Sequence, residues 1–188
     1  LAVMSSMYGV YHGPQGLRAI ATRVHALART FAAGVSRLGF SVEHAVFFDT
    51  VSVKVEAKQG DALVKAAEAA RMNVRRLDAT HLSVSMDETI SAEQVDALLA
   101  VFAGKTPDFT ATSLAASANA SPVVPEALRR TSAYLTHPVF NSHHTEHQML
   151  RYIRSLEAKD LSLCHSMIPL GSCTMKLNAT SEMDPVTW

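Results

Sequence analysis

The chain has 188 residues, 48% of them hydrophobic, with 17 Lys plus Arg against 17 Asp plus Glu. That length and apolar content allow one or two small domains with a real core and exclude wholesale disorder. The zero formal charge gives no argument for a nucleic-acid or anionic-membrane partner, and no apolar run is long enough to span a bilayer. The two cysteines, Cys164 and Cys173, make no disulfide framework, so a reducing compartment is the simpler expectation.

In chain order, Leu1, Met4, Met7 and Tyr8 form the stripe of a helix face. A free chain rarely opens on such a stripe, so residues 1–12 are expected to be the tail of a preceding helix, with an ordinary N-terminal helix as the alternative. His12 and Gly13 break it. Pro14 then opens a second helix, with Leu17, Ile20, Val24, Leu27, Phe31, Val35 and Leu38 as its buried stripe. Gly39 closes it, with Arg37 well placed in the last turn. His25 beside the stripe is read as structural.

From Val46 to Val55 the period changes to two, with Val51, Val53 and Val55 on one face and Ser52, Lys54 and Glu56 on the other, a strand with one wet side. Asp49 at its start is expected to be a strand-end carboxylate bound by backbone donors. Asp61 to Arg71 is a helix, apolar at Leu63, Val64, Ala67 and Ala70. Val74 to Leu77 and His81 to Met86 are short strands around a turn at Asp78 to Thr80. Ser91 and Gln94 form a capping-box pair ahead of Val95, Leu98, Leu99 and Phe102, and Gly104 ends that helix. This order calls for helices packed on one face of a small sheet.

Residues 105–130, rich in Ala, Ser, Thr and Pro, are expected to be a linker holding one short helix near Thr110 to Ala118. Thr131 to Asn141 is expected to be extended. Thr145 and Gln148 cap a last helix, whose packed face is Leu150, Ile153 and Leu156. The chain stops at Trp188, a residue usually wanted by a core, so both ends are expected to be cuts.

The stretch from Pro169 to Lys176 fits neither helix nor strand. Ser172, Thr174 and Lys176 place two hydroxyls and an ammonium at alternate positions, groups that suit a phosphate or carboxylate. The plain alternative is a surface loop crossing between elements. The Gly-x-x-x-x-Gly-Lys spacing of a nucleotide-binding loop is missing. His137, His143, His144 and His147 lie close together, yet no His-Glu-x-x-His spacing occurs. Cys164, His165 and Cys173 fall one ligand short of a closed zinc site. No metal is expected. Cys164 and His165, adjacent in sequence, point to opposite faces of an extended chain, which argues against a Cys–His nucleophile.

Several runs are similar to one family. They are Met7 to Pro14, Phe47-Phe48-Asp49-Thr50, Thr136-His137-Pro138-Val139-Phe140-Asn141, His144-Thr145-Glu146, Arg151-Tyr152, and the whole of Lys159 to Asn178. Together they resemble the P-protein of the glycine cleavage system, glycine dehydrogenase (decarboxylating). The resemblance covers essentially all of the chain and implies an internal piece of a much longer polypeptide.

The implied fold class is α/β. Residues 13–104 would be an α+β small domain like the C-terminal small domain of a fold-type I pyridoxal-phosphate, aminotransferase-like enzyme. Residues 105–130 would link it to an incomplete second half at 131–188. The implied activity of the parent is decarboxylation of glycine held on pyridoxal phosphate, with the aminomethyl group passed to the lipoyl arm of the H-protein. The implied partners are lipoylated H-protein, glycine, the remainder of the same polypeptide and a second copy in a homodimer, with no nucleic acid and no membrane.

The family's cofactor-anchoring lysine lies in a Leu-His-Lys stretch absent from these residues, and Lys176 is not its counterpart. The isolated chain is therefore expected to be inactive, with no catalytic residue of its own. Ser172, Thr174, Lys176, His144 and Glu146 are the candidate cleft-lining residues. The place implied is the mitochondrial matrix for a eukaryotic source, the preferred reading, and the cytoplasm for a bacterial one. The other function class kept open is a non-catalytic protein-binding or interface module, suggested by the Leu1 to Tyr8 stripe.

Overall fold

A computed structural model describes residues 1–120, 124–160 and 162. They fall into two compact units. One is Leu1–Tyr11 with the described residues from His137 on, and the other is His12–Thr136.

The larger unit begins within helix α1 (Ala2–Arg37), which is interrupted where sequence analysis puts the break. Gly13 has φ 62° and ψ −178°, outside the helical region and in territory that favours glycine. Pro14 restarts the helix without losing a needed N–H. The helix closes at Gly39 (φ 93°), whose N–H donates to Ser36 O at 3.0 Å.

Four strands follow: β1 (Ser41–Val42), β2 (Thr50–Lys54), β3 (Arg75–Arg76) and β4 (His81–Ser85). They form one antiparallel sheet in the order β1-β2-β4-β3. The central register pairs Val51 with Val84 and Val53 with Leu82. Val51, Val53, Val55, Leu82, Val84 and Met86 are all buried on one face. Helices cover that face: α1, α2 (Ala57–Ala69), α3 (Ala92–Ala103) and α4 (Ala111–Ala118). Phe102 of α3 meets Phe31 and Phe40 edge-on, with ring centroids 5.5 and 5.4 Å apart. The other face carries Thr50, Ser52, Lys54, His81 and Ser85, the wet side that the alternation requires.

Several boundaries differ from expectation, each for a local reason. Residues 46–49 are not strand. There the chain bends so that Phe48 stacks on His25, at 5.3 Å and 4° between rings, and His25 Nδ1 lies 2.7 Å from Phe48 O. The carboxylate of Asp49 accepts from the Thr50 hydroxyl (2.8 Å) rather than from backbone donors. Helix α2 starts at Ala57, four residues before Asp61, with Glu56 at its N-cap, and Asp61 receives Arg76 at 2.7 Å. The two-residue β1 is too short to show a period and was not expected. Phe109, Ala111 and Leu114 join the core, so the helical part of the segment read as a linker is a layer of this unit. The first turn of α4 is held by Asp96 of α3, whose Oδ1 accepts from the N–H of Ala111 at 2.5 Å.

In the smaller unit, Pro138–Asn141 is a 3-10 turn within the stretch expected to be extended. His137 causes it: Nδ1 accepts from the N–H of Val139 at 3.2 Å, and His137 O accepts from Asn141 Nδ2 at 3.1 Å. The last helix, α5 (Glu146–Glu157), begins at the Thr145–Gln148 capping box. Its expected packed face is not packed, since Leu150 and Ile153 are 65% and 45% exposed. Helical spacing fixes which side is apolar; it does not supply a neighbour.

Candidate functional site

Of the five candidate residues, His144 and Glu146 are described, and Ser172, Thr174 and Lys176 lie outside the described residues, as do Cys164, His165 and Cys173. His144 and Glu146 flank the N-cap of α5. The Thr145 hydroxyl accepts from the N–H of Gln148 at 3.3 Å, and Gln148 Oε1 accepts from the N–H of Thr145 at 3.3 Å. This reciprocal pair fixes how the chain enters the helix, and so where the two flanking side chains start.

His144 Nδ1 lies 2.7 Å from the carbonyl oxygen of Tyr11. A carbonyl only accepts, so the Nδ1 proton is present and Nε2 is left for a second partner. The side chain is exposed, as is that of Glu146. Glu146 is the acid of the first helical turn, where its charge complements the helix dipole. Both residues thus have structural work, as a histidine that bonds backbone and an acid at a helix start.

Two of the neighbouring histidines are also accounted for. His137 caps the 3-10 turn, and His143 stacks on Tyr152 with centroids 4.4 Å apart and rings 13° from parallel. The stacked pair was not foreseen; a His–Tyr spacing across a helix start carries no period to read. Among the described residues, no group of three or more His, Cys, Asp or Glu side chains is placed to hold a metal ion. Among the same residues, no helix is long and apolar enough to cross a membrane.

Pyridoxal phosphate tests this arrangement severely. Such a cofactor requires an amine for its aldehyde and several donors for its phosphate. His144 and Glu146 offer one ring nitrogen and one carboxylate, with neither an amine nor a set of phosphate donors. By themselves these two residues do not fit the group.

The helix-covered antiparallel sheet is the mixed α/β small domain of the fold-type I, aminotransferase-like class. Within that class the matches are specific. A family model described as the glycine cleavage system P-protein matches residues 1–102, more than half of the chain. The chain belongs to that family. It is 56% identical over 190 residues to glycine dehydrogenase (decarboxylating), mitochondrial, of Flaveria trinervia, and 55% identical over 189 residues to the protein of the same name from Pisum sativum. It is 54% identical over 188 residues to glycine dehydrogenase (decarboxylating) of Vibrio cholerae serotype O1. Each match takes in 100% of this chain but only 18% of the two plant proteins and 19% of the bacterial one.

Proposed function

We propose that this chain is part of a pyridoxal-phosphate-dependent glycine dehydrogenase. The parent would take glycine, release carbon dioxide and hand the aminomethyl group to the lipoyl arm of the H-protein. The observation that carries this reading is identity above one half along the full 188 residues to plant and bacterial enzymes of that name. Pyridoxal phosphate, when bound, supplies an electron sink for the bond that breaks at the α-carbon. No step is assigned to His144 or Glu146, because the two do not hold the group alone.

Ser172, Thr174 and Lys176, together with His144 and Glu146, are proposed to line the cofactor cleft of the assembled protein. The alternate placing of two hydroxyls and an ammonium supports this. The proposed partners are glycine, lipoylated H-protein, the remainder of the polypeptide and a second copy in a homodimer. The proposed place is the mitochondrial matrix for a eukaryotic source, in keeping with the word mitochondrial in the plant relatives' names, and the cytoplasm for a bacterial one.

The test is an exchange of segments. These residues replace the matching stretch of the Vibrio cholerae relative, and the chimera is assayed for glycine decarboxylation with lipoylated H-protein. Activity within about tenfold of the parent enzyme is expected, a barrier change near 1.4 kcal/mol. A folded, soluble chimera that binds pyridoxal phosphate yet releases no carbon dioxide overturns the reading.

The interface reading has its own observation. Leu1 just before α1, Val3 and Met4 on it, and Leu150 and Ile153 on α5, are exposed apolar residues. Faces of this kind suit a piece that is covered within a larger assembly. This reading is compatible with the enzyme reading and does not need a separate protein.

A further inference from the structure

The polar face of the sheet carries a cluster with no part in the candidate cleft. His81 opens β4 with its side chain on that face, 20% exposed. Its Nδ1 lies 2.9 and 3.0 Å from the two carboxylate oxygens of Asp78, and its Nε2 lies 3.3 Å from Glu43 Oε2. Asp78 sits in the turn between β3 and β4. Its Oδ1 accepts from the N–H of Thr80 at 2.7 Å and from the Thr80 hydroxyl at 3.1 Å. Glu43 follows β1, and its N–H donates to Ser52 O at 2.9 Å. One imidazole therefore joins the segment after β1 to the β3–β4 turn, across the intervening strand β2.

The chemistry of the ring decides what this join requires. A neutral imidazole has one N–H and one lone pair, whereas an ionised carboxylate only accepts. A neutral ring would turn a lone pair toward one of the two carboxylates. The imidazolium alone donates to both. We propose that His81 is a pH-sensitive clasp which, when protonated, ties the segment after β1 to the β3–β4 turn and releases Glu43 when it loses its proton.

The surrounding charges are mixed, and the direct contacts dominate them. Lys54 of β2 stands opposite His81 in the register and disfavours a second positive charge. On β3, Arg75 lies opposite Ser83. Arg76 donates to the carbonyls of Asp78 and Ala79 and pairs with Asp61 of α2. The two groups within hydrogen-bond reach of the ring nitrogens that carry charge are both carboxylates.

Consistent with this, the hydrogen bond to Asp78 raises the ring above its ordinary 6.5. Desolvation opposes the rise, and the charge of Asp78 and the contact with Glu43 add to it. The N–H of Thr80, and after it His81, hold Asp78 down to about 2. The signs follow. The contribution of His81 is fully present below 6.5 and is lost as pH rises through the raised value. That of Asp78 is present above 3.8 and is lost as pH falls toward 2.

Glu43 is also a wall of a cleft of about 380 Å³ lined by Arg29, Ser36, His44, Phe47 and Ala118. Opening the clasp loosens that wall.

The test uses the 188-residue chain. The His81 ring is titrated by NMR, with His81→Gln to assign its signal, and protection factors of the amides at 43–49 are compared at about pH 6 and about pH 9. The ring should titrate above 6.5, and Glu43→Gln should lower its midpoint. Protection should fall about two- to fivefold between the two pH values, the range that exposed ion pairs reach, and His81→Gln should abolish that dependence. A ring that titrates at or below 6.5, or equal protection at both pH values, overturns the clasp. A raised midpoint that Glu43→Gln leaves unchanged confines the contact to Asp78 and overturns it as well.

Discussion

Two glycines show how a single position can read one way in sequence and act another way in the fold. Gly34 lies inside α1, where glycine costs a helix about 1 kcal/mol relative to alanine. A Cβ built there would sit 2.5 and 2.8 Å from the two methyl carbons of Leu99, which is fully buried and cannot swing into solvent. Overpacking of this kind costs about 1–3 kcal/mol, which outweighs the propensity gain. Gly34→Ala should therefore lower the urea midpoint, and a raised midpoint would mean that Leu99 repacks freely. Gly60 likewise clears the Arg76 guanidinium, since a Cβ there would lie 2.5 Å from Nη1. A sequence shows such glycines only as flaws in a helix, because the atom that needs the space comes from elsewhere in the chain. Lys176 is the opposite case, with chemistry legible and surroundings not. If its ammonium meets the carboxylate of glycine or the cofactor phosphate, Lys176→Ala in the full-length enzyme should weaken that binding about ten- to a hundredfold, the loss of a charged hydrogen bond worth about 1.5–3 kcal/mol. Thermal stability should hold. Unchanged affinities with lowered stability would assign the lysine to holding its loop.

Helix caps were the most legible elements, and their limits have a chemical cause. The Ser91–Gln94 and Thr145–Gln148 boxes follow the Ser/Thr-x-x-Gln pattern, and both close reciprocally. The Thr110–Ser113 box closes in the same way, but a serine at the third position lies outside the Glu/Gln signature and gave no signal. Ser91→Ala removes the acceptor for the Gln94 N–H, in a helix that supplies Val95, Leu98, Leu99 and Phe102 to the core. It should cost about 0.5–2 kcal/mol in urea unfolding, while Ser91→Asp should retain most of the stability. Strands were legible by alternation and not by length. Val51, Val53 and Val55 were placed on the buried face, yet β2 begins at Thr50 because the Phe48–His25 stack bends the preceding residues away. The candidate site was legible only as residue types. The sequence places His144 and Glu146 at a helix start, and the capping geometry now fixes that start, but the bond from His144 to the Tyr11 carbonyl joins positions 133 residues apart and has no local signature.

Among the described residues, the buried cluster draws only on positions between Val24 and Leu114. α5, by contrast, has no buried residue. Amide exchange should follow that division, with Val24 to Val35 much better protected than Leu150 to Leu156, and equal protection would show that α5 has found a partner. The same incompleteness bears on activity. The chain spans 18% of its plant relatives. It contains no Leu-His-Lys, the stretch in which the family resemblance puts the cofactor-anchoring lysine. Without that amine an enzyme of this type cannot hold pyridoxal phosphate covalently or return it after turnover. The isolated chain, mixed with glycine, pyridoxal phosphate and lipoylated H-protein, should release carbon dioxide no faster than a blank containing the same cofactor and no protein. The blank matters because free pyridoxal phosphate reacts slowly with amino acids unaided. Absorbance gives an independent readout, since a lysine-bound cofactor has a spectrum distinct from the free aldehyde, and the isolated chain should leave the free spectrum unchanged. Release above the blank together with a bound-cofactor spectrum would place a working amine within these residues and overturn the expectation.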